Sequence, residues 1–372
     1  MAEPAADFSI GVEEEYQIVD PETRELRPGA GNLVPRARES VGDDVSNELF
    51  LSQVEIGTPV CRTLADVRTE LTRLRGAVIE AARREGCRIA AAGTHPFSHW
   101  AGQVLTPKSR YYELAHDFQQ LTREQLICGC HVHVGIADRE AAVQVMNRAR
   151  PWLSVILALS SNSPFWLAAD TGYASYRTHI FGRFPMTGAP HSFESRAEFD
   201  DLVSALTATG MIEDGSFLYW DARPSSHVET LEFRVADVCM SVDEAVMVAA
   251  LVRALARACH GEYRRGEPAP AVRPEMLRAA TWRASRFGLD GDLVDPLARR
   301  SVPAAERVED LLAFVRPWLD EAGEWGEVSA LVGRTLACGT GARRQRDAMA
   351  RSGRIEDVVD LIVEETARGV TS

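Results

Sequence analysis

Four short segments of the chain alternate polar and apolar side chains. They span residues 11–19, 51–59, 128–135 and 228–237. Alternate side chains of a strand point to the same face, so each segment predicts a strand with one polar face. The polar pairs are Glu13 and Glu15, Gln53 and Glu55, His131 and His133, and Glu232 and Arg234. We expect these strands to assemble into one sheet that lines a wet cavity.

The acidic pair in the first of these strands needs a partner. Glu13 and Glu15 cannot both remain ionised in a protein interior without a cation or strong donors, because each raises the pKa of the other. A solvated edge strand also carries such acids, and for this strand alone that alternative stays open. The recurrence of the pattern favours bound metal. Hard oxygen ligands with few nitrogens favour Mg²⁺ or Mn²⁺ over zinc.

A zinc site is the alternative for the third segment. Cys128, Cys130, His131 and His133 have the residue types of a four-ligand zinc centre. On a regular strand, however, the two cysteines face away from the two histidines. A bulge at Gly129 would bring all four together, so this alternative also stays open.

Apolar residues at helical spacing account for much of the remaining chain. Helices are predicted at 63–84, 110–126, 138–149, 152–159, 198–209, 242–260, 306–319 and 355–368. Thr63 is the expected N-cap of the first, and Ser241 with Glu244 forms a capping box that opens the long helix at 242–260. A turn after Asp20 predicts a hairpin that returns from Leu26 onward.

Residues 160–195 show neither the alternation of a strand nor the apolar spacing of a helix, and they are rich in Asn, Pro, Gly and aromatic side chains. A loop of this length within a folded domain is typical of a lid or a binding loop. Its Arg177 and Arg183 are candidates for gripping an anionic ligand, because guanidinium groups match the geometry of carboxylate and phosphate. Ordinary surface ion pairs are the alternative for both.

Composition narrows the range of partners. The 372 residues include 41 basic and 54 acidic side chains, which gives a net charge of -13. Nucleic acid and anionic membranes require basic surfaces, so we expect small-molecule partners, with no nucleic acid and no membrane. Seven scattered cysteines and a first segment without signal-peptide features predict a cytoplasmic protein. Lys108 is the only lysine, and its surroundings do not fit a phosphate-binding loop or favour Schiff-base chemistry.

These patterns predict an α+β fold. We expect a sheet with helices on one face and, on the other, a wet cavity that binds metal ions and a polyphosphate. Residues 1–372 should form a single catalytic domain, with the core sheet at about 8–240 and a helical part at about 241–372. Metal-bound acids neutralise and orient a polyphosphate, and Arg234 with a lid arginine would stabilise the moving phosphoryl group. Phosphoryl transfer is the predicted chemistry.

Five motifs carry a resemblance that covers most of the chain and is weakest at 260–372. They are Gly11-Val-Glu-Glu-Glu-Tyr, Gly93-Thr-His-Pro-Phe, Cys128-Gly-Cys-His-Val-His-Val-Gly, Thr171-Gly-Tyr-Ala-Ser-Tyr-Arg and Thr230-Leu-Glu-Phe-Arg-Val-Ala-Asp. With them the sequence resembles the carboxylate-amine ligase family, also called the glutamate-cysteine ligase type 2 family. The catalytic fold of that family is similar to the glutamine synthetase catalytic domain, which implies a largely antiparallel, curved sheet with helices on one face and a metal and ATP cavity on the other. Phe184-Pro-Met departs from the Trp-Pro-Thr that the family's lid leads us to expect.

The resemblance also implies roles for single residues. The implied metal ligands are Glu13, Glu15, Glu55, His131 and Glu232. The implied contacts with nucleotide phosphate are His133 and Arg234. Phosphate or substrate carboxylate would be held by Arg177, Arg183 and Arg223. Arg177 and Arg234 would be the catalytic arginines.

The implied reaction uses ATP together with Mg²⁺ or Mn²⁺. A carboxylate, that of the glutamate side chain, attacks the γ-phosphate of ATP to give an acyl phosphate, and cysteine or another amine then displaces phosphate to form an amide. The family also suggests a homodimer. A Mg²⁺- or Mn²⁺-dependent hydrolase and a catalytically inactive nucleotide-binding regulator are the alternatives, although Arg234 argues against the second.

Overall fold

The predicted polar strands lie in a seven-stranded sheet in the computed structural model, which describes residues 8–370. In chain order the strands are Ile10–Val19 (β1), Val45–Asn47 (β2), Gln53–Gly57 (β3), Arg88–Ala90 (β4), Gly129–Gly135 (β5), Phe165–Trp166 (β6), Ala169–Asp170 (β7), Thr187–Gly188 (β8), Tyr219–Trp220 (β9), Ala222–Pro224 (β10), Thr230–Asp237 (β11), Asp292–Asp295 (β12) and Arg300–Pro303 (β13). The sheet order is β10, β11, β5, β1, β3 and β2, with β4 also pairing with β1. All its pairs are antiparallel. The predicted α+β class is confirmed.

Helices surround this sheet, and most of those in contact with it cover one face. They are Ala30–Val41 (α1), Leu64–Arg84 (α2), Ser109–Phe118 (α3), Gln120–Arg123 (α4), Arg139–Ala149 (α5), Leu153–Ser160 (α6), Arg177–Phe181 (α7), Arg196–Ala208 (α8), Val242–Arg264 (α9), Pro274–Phe287 (α10), Ala304–Glu321 (α11), Trp325–Cys338 (α12), Gly341–Ser352 (α13) and Ile355–Ala367 (α14). α2 packs against β1, α9 against β1 and β5, and α1 against β2 and β3. α5 and α6 pack against β10 and β11.

The two predicted helix starts are present with their caps. Thr63 accepts a hydrogen bond from the backbone N–H of Asp66, whose side chain accepts one from the Thr63 N–H in return. Ser241 and Glu244 form the same reciprocal arrangement at the start of α9. Each box satisfies N–H groups that a helix N-terminus leaves without intrahelical partners.

Two predicted elements differ from the structure. The hairpin expected from Leu26 is reduced to one bridge with Val19, because the chain enters α1 at Ala30. The helix predicted at 110–126 is divided into α3 and α4. Gln119 interrupts it with a φ of +48°, which no α-helix accommodates.

One hydrophobic core joins the sheet to most of the helices. It extends from Ile10 on β1 to Val332 on α12 and includes more than half of the residues of α9. The core supports the expectation of a single domain, which stays a prediction. Within residues 8–370, every helix is too short or too polar to traverse a lipid bilayer.

β1 also carries an acid on the face that the helices cover. Glu14 accepts two hydrogen bonds from Arg75 of α2, at 2.5 and 2.9 Å, and a third from the Tyr16 hydroxyl at 2.6 Å. Both side chains of the ion pair are fully buried. Arg75 also donates to the carbonyls of Cys239 and Met240, just before α9 begins. The pair therefore fixes β1 against α2 and the start of α9.

We predict that Glu14→Gln destabilises the fold strongly. It leaves the buried guanidinium of Arg75 without its counter-charge, so the free energy of unfolding should fall by about 3–5 kcal/mol. Urea unfolding, followed by circular dichroism and tryptophan fluorescence, measures this change. The control is Glu80→Gln on α2, the helix of Arg75, since Glu80 is partly exposed and its partners among the described residues, Arg83 and Arg84, are exposed. Equal midpoints for the two variants would contradict a structural role for the buried pair.

Candidate active site

The polar pairs of β1, β3 and β5 meet across the sheet. Glu13 lies opposite His131, and Glu15 lies opposite Glu55. His131 Nδ1 is 3.2 Å from a Glu13 oxygen, and His131 Nε2 is 3.9 Å from a Glu15 oxygen. His133 Nε2 is 3.3 Å from the other Glu13 oxygen. The structure brings these side chains to one face, as the alternation predicts.

β11 adds an acid that lies between two arginines. Glu232 is opposite His133 in the register, and Arg223 of β10 is opposite Glu232. Arg223 Nε donates to Glu232 at 2.8 Å, and Arg234 forms an ion pair with the second oxygen. Burial alone would raise the pKa of Glu232, but Arg234 and Arg223 hold it below its usual range. Arg223 also donates to two backbone carbonyls, so these contacts hold it beside Glu232, and its implied contact with phosphate or a substrate carboxylate stays a prediction.

Three other acids of this cavity, Glu15, Glu48 and Glu55, have too little positive charge around them. Burial, followed by repulsion from Glu48, raises the pKa of Glu15 to about 8. Burial and the neighbouring carboxylates Glu48, Glu13 and Glu15 raise the pKa of Glu55 well above its usual range. Burial raises the pKa of Glu48 as well. A cation bound among these carboxylates would relieve both the burial cost and the repulsion.

Two overlapping groups of side chains have ligand atoms close enough to share a cation. One group is Glu13, His131 and Glu232, and the other is Glu15, Glu55 and His131. In each group the atoms lie within 4.8 Å of one another. Burial, followed by a nearby guanidinium, lowers the pKa of His131 to about 4, so its ring is neutral and able to coordinate. These are the five side chains that the resemblance implies as metal ligands.

All of these groups line one cavity of about 560 Å³. The sheet forms its floor, and side chains of α3 and of the lid helix α7 form its walls. The wall residues include Lys108, Arg110, Tyr111, Arg177, Phe181 and His227.

Sequence reasoning missed Glu48 and Lys108 as cavity residues. Glu48 lies one residue past the end of β2, which has only three residues and is too short to show a clear alternation, so the pattern gives no signal for Glu48. The amino group of Lys108 donates to the Asn47 carbonyl at 2.9 Å and contributes positive charge beside Glu48. The only signal for Lys108 is that the chain has no other lysine.

Arg177 reaches the cavity because of a glycine and an anchored lid. A Cβ at position 129 would collide with the Arg177 guanidinium, so Gly129 leaves the space that this side chain fills. Asp237, at the end of β11, accepts hydrogen bonds from Ser163 at 2.7 Å and Ser175 at 2.8 Å. These bonds hold the segment before α7 against the sheet.

Arg183 is not brought to the cavity. It forms an ion pair with Glu124, and its Nε donates to the Ile180 carbonyl at 3.2 Å. The expectation that it grips phosphate or a carboxylate is corrected, because its guanidinium is already neutralised outside the cavity.

The zinc alternative for the third segment is also wrong. Cys130 pairs in register with Glu14 and points into the helix-covered core. The Cys128 thiol precedes β5 and accepts a hydrogen bond from Gln53 at 3.4 Å. Within residues 8–370, neither group able to share a cation contains a cysteine.

Comparisons with known proteins agree with this geometry. A family model described as glutamate-cysteine ligase family 2 matches residues 9–365. A protein of Frankia alni named "Putative glutamate--cysteine ligase 2-2" is 45% identical over 372 residues, covering 96% of this chain and 97% of its own. A protein of Roseiflexus castenholzii named "Putative glutamate--cysteine ligase 2" is 42% identical, covering 99% and 97%.

Two solved structures share the fold at low sequence identity. The glutamate-cysteine ligase of Francisella tularensis in complex with AMP has a TM-score of 0.71 and 12% identity, covering 99% of this chain and 90% of that one. A bifunctional glutathione synthetase from Pasteurella multocida has a TM-score of 0.72 and 15% identity, covering 97% and 52%. The fold is thus that of known ligases. Because the family match spans nearly every described residue and carries the acid-lined sheet with it, this chain belongs to glutamate-cysteine ligase family 2.

Proposed function

We propose that the protein joins the side-chain carboxylate of glutamate to an amine through an acyl phosphate, with cysteine as the first amine to test. Family membership gives the coarser statement, that the chain is an ATP-dependent ligase forming C–N bonds. The observation that carries the finer proposal is the opposition of charge across one cavity. Clustered carboxylates line its floor, and the guanidinium groups of Arg177 and Arg234, here called the arginine wall, lie at one side of them.

The donor set of the floor fits Mg²⁺ or Mn²⁺. Four carboxylates and one neutral imidazole are hard ligands, and two overlapping groups would hold more than one ion. The residues that would hold the ions are Glu13, Glu15, Glu55, His131 and Glu232. When bound, the ions supply positive charge that neutralises and orients the phosphates of ATP.

The two arginines would bind the transferring phosphoryl group. The Nε atoms of Arg177 and Arg234 are buried and have no hydrogen-bond partner among the described residues. Unpaired buried donors are costly, so they indicate a ligand that accepts from them. A phosphoryl or acyl phosphate oxygen between them fits this requirement, since guanidinium donors stabilise charge that develops during transfer. His133 lies beside this position and is proposed as a further phosphate contact.

The lid would protect the intermediate from water. An acyl phosphate hydrolyses if water reaches it, so the cavity must be covered during the reaction. Asp237 fixes the segment before α7, and Phe181 of α7 lies against both guanidinium groups, at 5.6 Å from Arg177 and 6.0 Å from Arg234. Cytoplasmic location and a homodimer stay predictions.

We predict that phosphate release from ATP requires both glutamate and an amine. With Mg²⁺ present, a panel of amines beginning with cysteine is added one at a time, and product masses are recorded. A new mass equal to the glutamyl amide should accompany the release. Steady phosphate release without any amine would instead indicate a hydrolase and overturn the proposal.

We predict that Glu55→Gln weakens metal binding and ATP turnover while the fold survives. The change removes a metal-binding charge, so Mn²⁺ affinity measured by calorimetry should fall at least about tenfold, a loss seen even for residues that only support ligands. Glu229→Gln is the control, because Glu229 is exposed beside β11 and outside the cavity. Unchanged Mn²⁺ affinity in Glu55→Gln would contradict the metal assignment.

We predict that Arg234→Lys loses turnover although the charge is kept. A lysine cannot reproduce the fork that holds Glu232 and leaves Nε free for the ligand, so kcat should fall about 100-fold or more. Arg183→Lys is the matched control from the lid segment, because Arg183 pairs with Glu124 outside the cavity. Wild-type kcat in Arg234→Lys would remove this residue from the proposed mechanism.

A further inference from the structure

A second cavity lies beyond the arginine wall. Its volume is about 820 Å³, and it shares Arg177, Phe181 and Arg234 with the acid-lined cavity. Its other walls come from the lid, from β9 with the residue after it, and from α10. Trp220 and Trp282 give it aromatic surface, and none of the proposed metal ligands lines it. The two arginines therefore separate two chambers of different chemistry.

One carboxylate in this second cavity has no partner. The backbone of Asp221 is fixed, because its N–H donates to the Gly188 carbonyl at 2.9 Å and its carbonyl accepts from the Arg234 N–H at 2.8 Å. Its side chain accepts no hydrogen bond from any described residue, and Oδ2 is buried. An unpaired carboxylate at a cavity wall costs free energy unless a ligand supplies a donor or a positive charge.

We propose that the second cavity admits the acceptor amine, and that Asp221 binds its ammonium group and takes its proton. This inference rests on the proposed function and adds a substrate position and a proton acceptor to it. The other charged or titratable groups of this cavity wall are three arginines, two histidines and one exposed acid at the rim. They are Arg177, Arg234, Arg278, His179, His191 and Glu275. Asp221 is therefore the half-buried carboxylate of this cavity, and an ammonium group would bind to it.

The direction of phosphoryl transfer supports this position. The attacking and leaving oxygens lie roughly in line during transfer, so the acceptor carboxylate must approach from the side opposite ADP. The metal-binding acids place the polyphosphate in the first cavity. The acyl group then lies at the arginine wall with its carbonyl accessible from the second cavity, which is where Asp221 lies.

The proton balance of the second step needs such a group. The amine arrives as an ammonium ion and has no free electron pair until it loses a proton. Asp221 accepts that proton, nitrogen forms a bond to the acyl carbon, and the bond from that carbon to the phosphate oxygen breaks with its electrons going to phosphate. The second proton of nitrogen leaves with the phosphate.

The surroundings of Asp221 suit this task. Burial raises its pKa to about 6, while Arg177 and Arg234 act in the opposite direction and keep it from rising further. The carboxylate is therefore ionised at neutral pH and is a better base than an ordinary aspartate.

The test compares two kinds of nucleophile in Asp221→Asn. Hydroxylamine is mostly uncharged at neutral pH and needs no base, so it reports acyl phosphate formation as a coloured hydroxamate. Cysteine, methylamine and ammonium chloride are mostly protonated, and each is tested as an acceptor and as a competitor of hydroxylamine. In the variant, the rate of amide formation with the protonated amines, or their ability to compete with hydroxylamine, should fall about 100-fold. Hydroxamate formation should change less than about threefold. Raising the pH should restore part of the loss, because the free amine then needs no base.

Each outcome decides something. Asp43→Asn, at an exposed acid that pairs with Arg38 and lines neither cavity, is the control and should leave both reactions unchanged. Absence of hydroxamate from the wild-type protein would contradict the proposed function itself. Equal loss of both reactions in Asp221→Asn, no loss of either, no competition by any protonated amine, or an effect confined to the KM for ATP would overturn the role of Asp221.

Discussion

The buried ion pair between Glu14 and Arg75 determines where the chemistry of this protein lies. β1 presents alternate side chains to opposite faces, and a shift of one residue would exchange the faces completely. A shift of one residue would leave the buried Arg75 without Glu14, so the pair favours the observed register of β1, in which Glu13 and Glu15 face the cavity. The same arginine binds two carbonyls before α9, so the central helix and the central strand are aligned together.

On the other side of the sheet, the fold leaves charge unsatisfied. Burial and mutual repulsion raise the pKa values of Glu15, Glu48 and Glu55, whereas Glu232 is stabilised by its two arginines. The wall opposite offers buried Nε donors that nothing in the described chain accepts. A polyphosphate with its cations would satisfy both kinds of group, which is the ligand that we propose for this site. β1 connects the two sides, because Glu13 and Glu15 lie on its cavity face and Glu14 lies on its helix-covered face.

The sequence predicted this arrangement as far as periodicity extends. Alternation identified the strands that carry Glu13, Glu55, His131 and Glu232, and capping chemistry identified the start of α9. Alternation could not identify Glu48 or Asp221, because each lies beside the end of a short strand, where a two-residue periodicity gives no signal. Position alone also could not separate the two lid arginines.

Arg177 and Arg183 are equally plausible from sequence, yet only one reaches the cavity. The difference arises from distant residues: Gly129 leaves room for Arg177, and Glu124 neutralises Arg183 elsewhere.

The central claim is that a carboxylate is activated by phosphoryl transfer at this arginine wall. Glutamate labelled with oxygen-18 in its side-chain carboxylate tests this claim most directly. The account predicts one labelled oxygen in the inorganic phosphate for each amide formed. Amide formation with unlabelled phosphate, or with the label in AMP, would contradict it.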